Sequence, residues 1–154
     1  MVVISATSVG FFYADKLKKR CDLLTAFLDF LCNLETNIRY SCEDIFSLIK
    51  KSSNSKLLNF FKHQENNSIT EYWSVCVKSI PCLYGLTKED YSLLNDIGIN
   101  LGTTDVEGQI SHIQLYSNLL ITQLEKARNE YSSKSKLYKL LGFFLGCGIV
   151  LMII

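Results

Sequence analysis

Hydrophobic positions recur along this chain at helical spacing, between two ends that each hold a long uncharged run. From Asp15 to about Tyr40, Leu17, Cys21, Leu24, Leu28, Leu31, Glu35 and Ile38 follow steps of four and three, and only Glu35 breaks the seam. Leu23, Phe27, Phe30 and Leu34 run beside it. Two adjacent seams make a broad apolar face, which suits a helix with neighbours on two sides. Val106, Ile110, Ile113, Ser117, Leu120, Leu124, Ala127 and Tyr131 repeat the alternation. From Tyr131 neither Gly nor Pro intervenes before Gly142, so the last helix is expected to run on into the tail.

Shorter helices are expected between these two. Ser41 reads as the cap of a helix over residues 43–51. Leu57, Leu58, Phe60 and Phe61 form another, ending near Asn66. The stretch from Ser68 to Glu71 is a capping box, opening a helix that carries Tyr72, Val75 and Cys76 and ends at Pro81. Thr87 to Asp90 opens a further helix with Tyr91, Leu94, Ile97 and Leu101. Gly102 stops it, and Thr104, Asp105 and Glu107 start the long last helix, their carboxylates near the positive end of its dipole. No strand-period alternation persists. The expected fold is all-α: an antiparallel helical bundle over residues 15–136 with long first and last helices, flanked by terminal hydrophobic, transmembrane segments at 1–14 and 137–154.

The ends carry that expectation. Residues 140–154 are uncharged, roughly 22 Å of helix against a hydrocarbon core of about 30 Å; Leu137 and Tyr138, with Lys139 snorkelling, extend it. Residues 1–14 are uncharged too, and read as an abbreviated span or a longer one trimmed at its start. Lys16, Lys18, Lys19 and Arg20 follow this segment, the wrong order for a secretory signal. Lys126, Arg128, Lys134, Lys136 and Lys139 precede the other. Both clusters lie on the side of the middle domain, which places that domain in the cytoplasm and offers charge to anionic lipid headgroups. Ala6, Gly10 and Ala14 recur every four positions, as do Gly142 and Gly146. Such small-residue faces let membrane helices approach closely, so the two ends are expected to pack as a hairpin.

Composition narrows the function. Sixteen basic against fifteen acidic residues in 154 give a net charge near +1, which offers nucleic acid no electrostatic footprint. Six cysteines lack C-x-x-C spacing, and Cys21, Cys32 and Cys76 fall in helical apolar patterns, as expected of buried free thiols in a reducing compartment. No phosphate-binding, dinucleotide or zinc-protease motif occurs. His63 sits in a polar stretch; His112 lies one position off an apolar seam and reads as structural. Neither Glu43-Asp44 nor Glu89-Asp90 has the partners of a catalytic pair. No enzyme activity, cofactor, metal or small-molecule substrate is expected.

The stretch from Leu93 to Tyr116, LLNDIGINLGTTDVEGQISHIQLY, resembles the stage III sporulation protein AB family of endospore-forming bacteria. The likeness rests on Leu101-Gly102 followed by Asp105, Glu107, Gln109 and His112. It extends to ISATSVGFFYADKLKKR at the start, to Leu34–Tyr40 and to the hydrophobic terminus. The family's first apolar segment is slightly longer. The resemblance implies a membrane component of the channel between mother cell and forespore, in a complex related to type II and type IV pilus secretion machines. It implies a platform in the outer forespore membrane, its bundle facing the mother-cell cytoplasm and engaging a motor ATPase, stage III sporulation protein AA, with other channel components. Gly102, Asp105, Glu107, Gln109 and His112 then form either a structural helix start or a partner surface, with Glu107, Gln109 and His112 as its exposed members. The residues alone also leave open a membrane-tethered adaptor or sensor unconnected with secretion, and a small membrane enzyme.

Overall fold

In a computed structural model the two long seams become the two longest helices, α1 (Val2–Tyr40) and α5 (Val106–Ile153). Between them lie α2 (Ile45–Ser52), α3 (Ile69–Lys78), a 3-10 turn (Cys82–Tyr84) and α4 (Lys88–Ile99). The structure describes the backbone of residues 2–41, 43–53, 57 and 68–153, and their side chains except those of 2–10, 138, 139, 141–143 and 145–153. Leu57 is helical and buried, but the rest of the helix expected there lies outside the described residues, as do His63 and Cys42. The described residues are all-helical, without strand.

α1 and α5 pack along each other antiparallel. Gln114 Nε2 donates to Glu35 Oε1 at 2.8 Å, and Arg20 to Glu130 Oε2 at 2.9 Å, so facing residues have numbers that total close to 150. Ala14 and Ser135, both buried, fit that register. Glu35, the one break in the first seam, is thus the residue that bridges to α5. It also pairs with Arg39 at 3.1 Å.

Leu23, Leu24, Phe27, Phe30, Leu31 and Leu34 of α1 are buried, as both seams require. From α5 come Ile113, Leu120, Leu124 and Ala127, a single narrow stripe; Leu115 and Leu119 on its other side are exposed. Trp73 of α3 is the largest residue of the core. Its ring meets Phe27 edge-on at 6.3 Å and Phe30 at 5.6 Å, and its indole N–H donates to the carbonyl of Leu94 at 2.6 Å. That bond satisfies the one polar atom such burial would otherwise strand.

The caps differ from expectation in one place. Asp44, not Ser41, caps α2: its carboxylate accepts from the N–H of Phe46, and the helix starts two residues late. Aspartate is an equally good cap, and it stands immediately before the first half-buried position, Ile45. Ser68 caps α3, accepting from Glu71 N–H, and Thr87 and Asp90 form a complete capping box on α4.

Among the described residues no helix is long and apolar enough to cross a membrane, so the expected flanking spans have no support there. The physical reason is length: an uncharged run of fourteen or fifteen residues makes only about 22 Å of helix. Ala6, Gly10, Gly142, Gly146 and Lys139 are among the residues whose packing lies outside the description.

Candidate functional site

Two regions gather the residues singled out in the sequence, one at each end of the bundle. At the first, α4 turns into α5. Gly102 has φ 79°, in the left-handed region, and a β-carbon there would lie 2.8 Å from Ile69 Cδ1. Only glycine takes that backbone conformation without strain. Asp105 is the N-terminal cap of α5: its Oδ1 accepts from Gly108 N–H at 3.1 Å. Gln109 is buried and its amide donates to the carbonyl of Asn100 and to Thr104 Oγ1, both at 3.0 Å. The ring Nε2 of His112 lies 3.1 Å from the carbonyl of Ile97, and the ring packs on Tyr116 at 4.5 Å. Gln109 and His112 therefore satisfy carbonyls left over at the end of α4.

This geometry corrects the exposed-surface alternative. Gln109 is buried and His112 half-buried and engaged, because the turn brings both back under the last turn of α4. Glu107 alone of the three faces solvent. The corner is a joint, and its exposed rim carries Thr103, Asp105, Val106 and Glu107.

At the opposite end lies the lysine collar. Lys18, Lys134 and Lys136 are exposed and Lys16 and Lys19 half-buried; Lys19 pairs with Asp15 at 2.7 Å, and Lys134 lies 3.8 Å from Glu130. Arg20 does not belong to this exposed set. It is buried, and its Nε and second terminal nitrogen hold Asp90 at 2.7 and 3.1 Å while the first reaches Glu130. Asp90 also accepts from the N–H of Thr87 at 2.8 Å. One carboxylate thus caps α4 and locks it to α1, and Arg20 carries the lock on to α5. Burial works against the Arg20 charge, but the Asp90 hydrogen bond and the two carboxylates outweigh it and raise its pKa. Arg20 is a fastening within the protein, unavailable to a lipid headgroup.

Beyond the collar the surface changes. Phe11, Phe12 and Tyr13 on α1, and Leu137, Leu140 and Phe144 on α5, are each more than half exposed. The antiparallel register puts both groups at one end, next to the lysines.

The cysteines divide. Cys76 is buried, and burial pushes its pKa up to about 11; the same cause raises neighbouring Tyr72 to about 12. Cys32 is exposed, against expectation, because it sits just outside both seams. Among the described residues no cluster of three or more His, Cys, Asp or Glu is arranged to hold a metal.

A family model described as Stage III sporulation protein AB matches residues 1–154, the whole chain. The chain belongs to this family. The comparisons with curated proteins and with solved structures returned no match. For this member of the stage III sporulation protein AB family, then, a role in sporulation rests on the family match. Sequence reasoning reached the joint through its glycine and its caps. It missed the Arg20–Asp90–Glu130 lock, because ion pairs 70 and 110 residues apart leave no local periodicity. The capping box at Thr87 was the one available signal, since it placed Asp90 at a fixed point without revealing its second partner.

Proposed function

We propose that the chain is a membrane-anchored structural platform of the sporulation channel, without catalysis or cofactor of its own, that couples the motor ATPase stage III sporulation protein AA to the membrane complex. On this reading residues 15–136 face the mother-cell cytoplasm, and residues 1–14 and 137–154 anchor them in the outer forespore membrane. One observation carries it: exposed aromatic and aliphatic side chains of both long helices gather at one end, directly beyond a collar of lysines. Aromatic belts and cytoplasmic lysines mark the same boundary at a bilayer surface. Two apolar ends in a hairpin pair also bury more than either would alone, and small residues such as Ala6, Gly10, Gly142 and Gly146 suit close packing there. The joint at the far end then holds the exposed rim around Glu107 at a fixed distance from the membrane, where a partner meets it.

The test uses the full chain from sporulating cells. Membranes are washed with alkaline carbonate, solubilised in detergent, and the chain is isolated by an affinity tag. Retention in the washed membrane together with co-isolation of the ATPase is expected. Release by carbonate would defeat the anchor. Retention without the ATPase would favour the tethered adaptor over the platform.

A further inference from the structure

We infer that the loop joining α3 to α4 is a third contact with the bilayer, an interfacial foot that rests on anionic phospholipid headgroups. The inference rests on the proposed anchoring of the two ends and adds a site to it. Gly85 places the loop. It has φ 69°, and a β-carbon on it would lie 2.7 Å from Lys16 Cγ and 3.0 Å from the Lys16 carbonyl. The loop is therefore pressed against α1 within the lysine collar. Phe11 to Tyr13 lie three to five residues further along α1, about 5–8 Å at ~1.5 Å per residue. That is about the depth of one headgroup layer, given a bilayer of roughly 40–45 Å around a core of about 30 Å. If the aromatic residues stand at the hydrocarbon boundary, the loop stands among the headgroups.

Its chemistry fits that depth. The loop is held at both ends: Ile80 is buried, its carbonyl accepts from the Tyr91 hydroxyl at 3.1 Å, and Thr87 caps α4. The 3-10 turn closes on bonds from Tyr84 and Gly85 N–H to the carbonyls of Pro81 and Cys82. Yet the tip that this ordered turn presents, Pro81, Cys82 and Leu83, is exposed, with Leu83 at 45%. Exposed Lys78 and Lys88 flank it, and Lys16 lies beneath. Of the nearby acids, Asp90 is paired with Arg20 and Asp15 with Lys19, while exposed Glu89, bonded by the neutral amide of Gln123 at 3.4 Å, keeps its charge beside Lys88 and leaves Lys78 and Lys16 as the uncancelled positive groups. A short apolar tip with lysines on either side matches an anionic bilayer surface, apolar atoms reaching the upper acyl chains and ammonium groups meeting phosphate.

The experiment places a tryptophan reporter at each of three exposed sites in the full chain, Leu83→Trp, Phe144→Trp and Ile99→Trp, with native Trp73 as a buried constant background. Each variant is reconstituted in vesicles of equal parts phosphatidylcholine and phosphatidylglycerol, brominated either high or low on the acyl chain. Fluorescence loss is expected for Leu83→Trp, larger with the high bromine, and none for Ile99→Trp at the far end. The loss should shrink in pure phosphatidylcholine and in a Lys78→Gln, Lys88→Gln background. If Leu83→Trp behaves like Ile99→Trp while Phe144→Trp is quenched, the loop is not a foot and the anchoring stands; a protein partner over Leu83 would give this result. If Phe144→Trp is not quenched either, the anchoring itself fails and the foot with it.

Discussion

Asp90 and Glu130 hold the same arginine from very different surroundings, and their worth differs accordingly. Asp90 is wholly buried, whereas the Glu130 side chain is 41% exposed. Asp90→Ala leaves the buried Arg20 with only the half-exposed Glu130 and removes the capping box of α4 as well, so it is expected to cost about 3–5 kcal/mol, measured by urea unfolding of the solubilised full chain. Glu130→Gln should cost less than about 1 kcal/mol, because water already screens that contact. Equal losses would mean that Arg20 is not buried as described. Gly98 makes a second residue-scale case. Glycine inside a helix is ordinarily improved by alanine, by about 1 kcal/mol. Here a β-carbon would run into the indole ring of Trp73, which the Leu94 carbonyl and two phenylalanines hold in place. Gly98→Ala should therefore lower the melting temperature, against the usual sign, by an overpacking cost of about 1–3 kcal/mol.

At the scale of elements, the α4–α5 corner separates what holds the turn from what the turn displays. Gln109→Ala removes two hydrogen bonds from a buried site, each worth about 0.5–1.5 kcal/mol, while the Asn100 carbonyl keeps its bonds from Thr103. Glu107→Ala touches only the exposed rim and should stay within about 0.5 kcal/mol. Thermal melts of the two variants, beside co-isolation of the ATPase, divide the motif: Glu107→Ala is expected to weaken partner binding without changing the melt. A clear destabilisation by Glu107→Ala would make it part of the joint instead. The elements themselves were legible, because caps and periodicity are local. Ser68, Thr87 and the two seams of α1 predicted helices that exist, and Gly102 predicted the turn. Which face of the motif points inward was not legible. Gln109 is a polar residue near a helix start, where sequence favours solvent, and only the fold back onto Asn100 turns it under; His112 reads as structural from its place beside the apolar seam, but its partner, the Ile97 carbonyl, is set by the fold. The same limit applies to Arg20, whose neighbours in sequence are exposed lysines and whose partners come from two other helices.

For the whole molecule, the continuity of α5 is the property on which a platform would depend. The helix runs for 48 residues, roughly 72 Å at ~1.5 Å per residue, from the rim around Glu107 past the lysine collar to the apolar end. α1 runs beside it, and α4 is tied to both through Arg20 and Asp90, so the three helices are fastened to one another next to the lysine collar. On the proposed reading, a motor that pushes on the far rim would move the apolar end only if α5 does not bend between them. Ser133 is exposed, lies between the core stripe and the apolar end, and its hydroxyl bonds back to the carbonyl of Asn129 in its own helix. Proline there removes one backbone bond and clashes with the preceding turn, kinking the helix at a cost of about 3 kcal/mol. Ser133→Pro is expected to leave the chain in the membrane fraction at normal abundance, while heat-resistant spore counts fall sharply; Ser133→Ala, which keeps the helix straight, should sporulate as the parent does. Normal sporulation by the proline variant would mean that stiffness between the ends is not what the molecule supplies, and would move the reading from a platform toward a tethered adaptor.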